Sequence, residues 1–202
     1  MSKKENNNKV CSIDGKMVFF ATGNINKFNE ARSILSPYGI SIGLLRMKGD
    51  EIQSDNLEEI AKSSAVNAFK STHLPIFVED AGLFIKALNG FPGPYAAYAY
   101  KTIHNNGILK LMENTNERQA EFQSVIAYCD QNFPEPQCFK GESKGEITIN
   151  ECSPQGKPPF GFDPIFQPNG SEKSFAEMTI EEKNGFSHRA MAIRKFAKWL
   201  KK

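Results

Sequence analysis

Two adjacent carboxylates, Glu79 and Asp80, follow an apolar run and lead into Ala81 and Gly82. A carboxylate can act as a general base or hold a hard metal ion, and a neighbouring glycine lets a ligand approach the backbone. Successive strand side chains point to opposite faces, so only one of the pair enters a cleft that the strand borders. In a purely structural reading, Asp80 caps a helix around Leu83 to Leu88. Asp50 and Glu51, after an earlier apolar run, could supply another carboxylate or only loop charge.

Thr22-Gly23-Asn24-Ile25-Asn26-Lys27 offers different chemistry. It lies between an apolar run and residues at helical spacing, and ligands of open α/β sheets bind beyond the carboxyl ends of strands. Gly23 permits close approach, the helix start offers N–H groups to an anion, and Lys27 adds a full charge. This is a phosphate site in outline, without the Gly-x-x-x-x-Gly-Lys-Ser/Thr spacing. Phe160-Gly161-Phe162-Asp163-Pro164 sets aromatic rings beside an acceptor. Such rings can stack on a base while the carboxylate bonds its N–H groups, or the segment is a turn with buried Phe. Lys183 and Ser187-His188-Arg189 place donors at the start of the last helix, where acceptor atoms are favoured; a surface charge group is the plainer reading.

The hydrophobic pattern supplies the frame. Residues 17–21, 40–45 and 76–78 read as buried strands. Between them, Phe28, Ala31 and Leu35 keep helical spacing until Pro37 and Gly39. A second helix has Leu57, Ile60, Ala61, Ser64 and Ala68 on one face, an Asp55-x-x-Glu58 capping box at its start and Pro75 at its end. The resulting β-α-β-α-β order argues for α/β layering. Residues 91–95 form a rigid loop and 108–112 a short helix. Residues 122–128, 138–140 and 146–149 read as an antiparallel extension. A last helix begins near Ser187, with Ile193, Phe196, Ala197 and Leu200 inward and Arg194, Lys195, Lys198, Lys201 and Lys202 towards solvent.

Composition narrows the function classes. The 202 residues are 40% hydrophobic and 24% charged, enough apolar material for a core without disulfide or metal staples. The net charge of +2 lies in residues 1–16, where Lys3, Lys4, Lys9 and Lys16 outnumber Glu5 and Asp14. Residues 17–202 are therefore neutral, which argues against a nucleic-acid-binding surface. The polar first sixteen residues read as a disordered tail with no secretory signal, and no apolar run reaches membrane-spanning length. Cys11, Cys129, Cys138 and Cys152 form no C-x-x-C pair, and His73, His104 and His188 give no zinc spacing. A metal here would be a hard one, held by carboxylates. The expectation is a cytoplasmic protein with no membrane or nucleic-acid partner.

Five segments together resemble one family. Thr22-Gly23-Asn24-x-x-Lys27, Glu79-Asp80-Ala81-Gly82-Leu83, Gly90-Phe91-Pro92-Gly93-Pro94-Tyr95, Phe160-Gly161-Phe162-Asp163-Pro164-x-Phe166 and Glu182-Lys183-x-x-x-Ser187-His188-Arg189 occur in the order and spacing of the inosine triphosphate pyrophosphatases. The resemblance covers 17–202 as a single domain. It implies a mixed central sheet flanked by helices, in two lobes with the active-site cleft between them, and usually a homodimer. It implies hydrolysis of non-standard purine nucleoside triphosphates (ITP, dITP, XTP) to monophosphate and pyrophosphate. By the same resemblance, residues 22–27 bind triphosphate, Asp80 is general base and metal ligand, and Glu51 is the other magnesium ligand. Phe160, Gly161, Phe162, Asp163, Lys183, His188 and Arg189 form the nucleotide pocket. Ala81 stands where Ser or Thr is usual, leaving only backbone contact with the nucleotide, and Phe162 where Tyr or Trp is usual. A pyrophosphatase with pyrimidine preference, a nucleotide-binding module without turnover and a nucleic-acid-binding protein are the alternatives.

Overall fold

A computed structural model describes residues 16–47, 52–152 and 160–202. Residues 1–15 of the expected tail and Glu51 lie outside those residues, and Lys16, expected in the tail, begins the first strand. Seven strands form one mixed sheet in the order β2-β1-β3-β5-β6-β7, with β4 paired to β3. Strands β1 (Lys16–Ala21), β2 (Ile40–Leu45) and β3 (Ile76–Ile85) are parallel where they pair. Strands β5 (Gln119–Cys129) and β6 (Gln137–Ile147) continue antiparallel, as the pattern predicts; β7 (Phe166–Pro168), absent from the pattern, pairs antiparallel with β6, and β4 is the short Pro92–Gly93. With five α-helices among the described residues this is an α/β fold.

Alternation along β3 and β5 sorts the core. Phe77, Ile126 and Tyr128 face helices α1 (Ile25–Leu35) and α5 (His188–Leu200), whose Ala31, Leu35, Ala190, Ile193 and Phe196 complete that cluster. Ile76, Val78, Val125 and Ala127 face the other way, onto Leu57, Ala61, Ala65 and Ala68 of α2 (Leu57–Thr72). Farther along the sheet, Leu83, Ile85 and Phe122 pack with α3 (Ala96–Leu111) and with Phe162, Phe166 and Phe175.

The structure corrects the pattern at several places. The expected strand 76–78 runs on to Ile85, so Glu79 to Gly82 lie inside β3 and Asp80 caps no helix. Charged residues are tolerated there because Glu79 is ion-paired and Asp80 borders a cleft. Strand β6 joins the two short strands expected at 138–140 and 146–149, because its Lys and Glu residues fill the exposed alternate positions. The α2 N-cap is Asn56, whose side chain accepts from Glu58 N–H, and not Asp55. Helix α3 is longer than 108–112 and is interrupted at His104, which has φ 53°. A helix absent from the pattern, α4 (Ile180–Phe186), carries Lys183.

One mismatch in strand length matters for function. Phe20 of β1 sits opposite Phe77 of β3, and β1 ends one residue later. Strand β3 goes on to Ile85, so its residues 79–82 have no parallel neighbour on that side. The resulting notch is bordered by the turn after β1.

Candidate active site

Thr22, Gly23, Asn24 and Lys27 line a cleft of about 390 Å³ together with Asp80 and Ala81. Its far wall is α2, through Ala61, Ser64, Asn67, Ala68 and Ser71, and Pro94 and Ala97 border it near the start of α3. The arrangement follows from the notch: the β1–α1 turn faces the stretch of β3 that β1 leaves without a parallel neighbour. Ile25 and Asn26 are exposed on the first turn of α1 and do not line it.

The helix start differs from the expectation of open N–H groups. Asn24 is the N-cap of α1, and its side-chain oxygen accepts from the N–H groups of Asn26 at 3.0 Å and Lys27 at 3.2 Å. Such a cap satisfies donors that an anion would otherwise meet. The cationic contribution of the turn is Lys27, whose Nζ lies 2.7 Å from Glu79 Oε2.

The carboxylate pair divides as strand alternation requires. Glu79 points to the α1 and α5 side, where its carboxylate is 1% exposed. There it accepts from Ser124 Oγ at 2.8 Å and from Arg189 Nε at 3.1 Å. Burial alone would raise its pKa, but the Arg189 and Lys27 charges and the hydrogen bonds hold it far below the ordinary carboxylate range. Asp80 shares the parity of Val78 and lines the cleft on the α2 side.

The remaining candidates stand outside that cleft, on the α5 side of β3. Arg189 is 3% exposed, and its Nη1 lies 2.5 Å from Glu30 on α1. Glu30 also holds Lys183 Nζ at 3.0 Å, and Lys183 lies 2.6 Å from Asp163. A chain of alternating charge thus runs Lys27–Glu79–Arg189–Glu30–Lys183–Asp163. Burial raises the Asp163 pKa despite Lys183 beside it, while Glu30, partly buried, is held low by Arg189 and Lys183. Phe160, half-buried, carries Lys183 Nζ 5.1 Å and Arg189 Cζ 5.8 Å from its ring centre. Gly161 joins it to Phe162 with φ 56°, a left-handed turn that glycine makes without strain.

Two further residues of the expected nucleotide pocket are buried. Phe162 is 4% exposed and packs edge-to-face on Tyr100 at 5.5 Å, so its ring belongs to the core and Phe160 is the accessible aromatic. His188 is 3% exposed and stacks on Phe122 at 4.7 Å. Burial and the adjacent Arg189 hold its pKa well below 6.5, so the imidazole is neutral and supplies one N–H at most.

Glu30, Ser124 and the polar residues of α2 escape a reading based on motifs. Glu30 follows Lys27 by three positions, which puts both on one face of α1. Ser64, Asn67 and Ser71 likewise recur at helical spacing among apolar positions. Ser124 gives no local signal, since only the register of β5 against β3 brings it to Glu79.

Among the described residues no group of three or more His, Cys, Asp or Glu could hold a metal ion. Glu79 and Asp80 are the described carboxylates that line the cleft, and Glu79 is ion-paired to Lys27 and Arg189. One carboxylate with phosphate oxygens is a donor set that suits magnesium, which binds through one or two carboxylates plus substrate. No described helix is long and apolar enough to cross a membrane.

Residues 18–199 match the model of the Ham1 family. The dITP/XTP pyrophosphatase of Methanopyrus kandleri is 50% identical over 184 residues, covering 91% of this chain and 96% of that one. That of Thermococcus kodakarensis is 48% identical, covering 90% and 96%. The structure of the Ham1 protein from Staphylococcus aureus superposes with a TM-score of 0.78 at 30% identity, covering 92% of this chain and 98% of that chain. A HAM1 protein from Coxiella burnetii gives 0.79 at 30% identity, with the same coverage.

Proposed function

The chain belongs to the Ham1 family, and from that premise we propose that it hydrolyses non-standard purine nucleoside triphosphates (ITP, dITP and XTP) to the monophosphate and pyrophosphate. The observation that carries this reading is one notch with Lys27 and Asp80 on its walls and the Phe160–Lys183–Arg189 group joined to it through Glu79. Water attacks the α phosphorus, the bond from that phosphorus to the bridging oxygen breaks, and pyrophosphate leaves. Asp80 takes the proton of the water. Lys27 neutralises phosphate charge, which is the main requirement of an attack on a polyanion.

Magnesium fits as the metal, with Asp80 and the sequence-expected Glu51 as its ligands. When bound, it withdraws charge from the phosphates and favours ionisation of water. At the other end Phe160 stacks on the base. Arg189 offers a 6-oxo group those of its five N–H donors that Glu30 and Glu79 leave open. Ala81 contributes backbone only.

Pyrophosphate release from a panel of ITP, XTP, dITP, ATP and pyrimidine triphosphates with magnesium tests the reading. Asp80→Asn should lower turnover by about 10²–10⁴ while leaving the fold intact. Binding without release would make this a nucleotide-binding module, and best activity on pyrimidines would move it to another pyrophosphatase specificity. We also read the protein as a cytoplasmic homodimer, which sedimentation and fractionation check.

A further inference from the structure

We propose that Glu79 is a positioning residue that couples the two halves of the substrate site, so that phosphate binding at Lys27 and purine binding at Arg189 strengthen each other. This rests on the substrate reading above and adds the route by which the halves communicate. The two oxygens of Glu79 are divided between the halves: Oε2 lies 2.7 Å from Lys27 Nζ, and Oε1 lies 3.1 Å from Arg189 Nε. Ser124 Oγ fixes Oε1 with a third contact at 2.8 Å. With 1% of the carboxylate exposed, water does little to screen these charges. Glu79 is ion-paired to both Lys27 and Arg189. Glu30 links Arg189 to Lys183 and reaches Lys27 only along the backbone of α1.

The direction of the coupling follows from charge balance. In the ligand-free arrangement Lys27 and Arg189 share one anion. A phosphate group that draws Lys27 towards the cleft leaves the charge of Glu79 to Arg189 alone. The Nε pair then tightens, and the guanidinium plane is held between Glu79 and Glu30 with its remaining N–H groups set for the base. Coupling free energies are reciprocal, so a purine held by Arg189 must strengthen the phosphate end by the same factor.

The test is calorimetric titration of the full chain in magnesium buffer, with inosine as the neutral purine half and inorganic pyrophosphate as the phosphate half. Inosine should bind at least about fivefold more tightly once pyrophosphate saturates the protein, the lower end of ordinary allosteric coupling. In Glu79→Gln both ligands should still bind, with the factor reduced to about one, and Glu79→Asp should restore part of it. Ser124→Ala keeps the charge and loosens its anchor; it should lower the factor and decides the matter if Glu79→Gln does not fold. Independent binding in the wild type, or coupling that survives undiminished in Glu79→Gln or in Ser124→Ala, overturns the proposal and leaves the substrate reading standing. If neither ligand binds the wild type, the substrate reading fails first.

Discussion

Glu30 on α1 holds Arg189 at the start of α5 through a contact of 2.5 Å between its Oε2 and Nη1. The first helix of the sheet and the last are therefore joined by a buried charge pair beside the site. The same guanidinium also faces Glu79. Arg189 is thus a structural residue as well as a candidate reader of the base, and its removal tests both at once.

Arg189→Ala should destabilise the fold by about 3–5 kcal/mol, because it removes the cation that Glu79 and Glu30 share and leaves Glu79 to Lys27 and Glu30 to Lys183. For a chain of this size that corresponds to a melting temperature lower by roughly 10 °C. Differential scanning calorimetry measures it, and a change below about 1 kcal/mol would show that water reaches the pair. Base discrimination is better read with Arg189→Lys, which keeps the charge and loses the planar fork. Its kcat/KM should fall more for ITP than for ATP.

Phe160 and Phe162 should separate binding from stability. Phe160→Ala removes a half-buried ring that covers two cations, so KM should rise while the melting temperature hardly moves. Phe162→Ala empties a core position against Tyr100 and should cost about 3–5 kcal/mol. Thermal melts and KM for ITP on the two variants decide it. The reverse outcome would make Phe162 the stacking ring.

The contrast between those two rings shows where the sequence is legible. Strands β1 and β2 and helices α1 and α5 carry apolar spacing that fixes their type and their buried face, and Ser187 announces its own helix. The segment 160–163 announces a turn with aromatics, but which ring is buried depends on contacts with Tyr100 on α3, remote in sequence. Strand β3 hides behind its own charges: Glu79 and Asp80 look like the end of an apolar run. Only the partners Lys27, Ser124 and Arg189, 52, 45 and 110 residues away, make Glu79 tolerable inside a sheet. Local periodicity cannot register pairings at such separations.

Gly141 is a second such case, and it yields a prediction. A Cβ there would lie 2.0 Å from the His188 carbonyl oxygen and 2.5 Å from Ala192 N, both backbone atoms of α5. No side-chain rotation relieves that contact, so α5 must move off β6. Gly141→Ala should destabilise by about 1–3 kcal/mol or more, the range of overpacked cores. Because Arg189 rides on the displaced turn, activity should fall more than the remaining folded fraction explains. A stable, fully active variant would mean that α5 can shift without disturbing Arg189.

The last prediction concerns acid. Burial and the Arg189 charge place the folded pKa of His188 well below its ordinary 6.5, so the unfolded chain binds a proton first as pH falls. Stability from keeping this imidazole neutral is complete above pH 6.5 and is lost progressively below it. Each pH unit removes up to about 1.4 kcal/mol until the folded group itself titrates. The carboxylates Glu79 and Glu30, held below 4.5 by their cations, contribute in the same direction but only below pH 4.5. Acid destabilisation should therefore begin near pH 6.5, about two units before those carboxylates respond. Urea unfolding between pH 5 and 7.5 measures the slope, and His188→Gln should flatten it over that window. If the wild-type slope persists unchanged in His188→Gln, another group carries the proton and His188 is protonated in the folded protein.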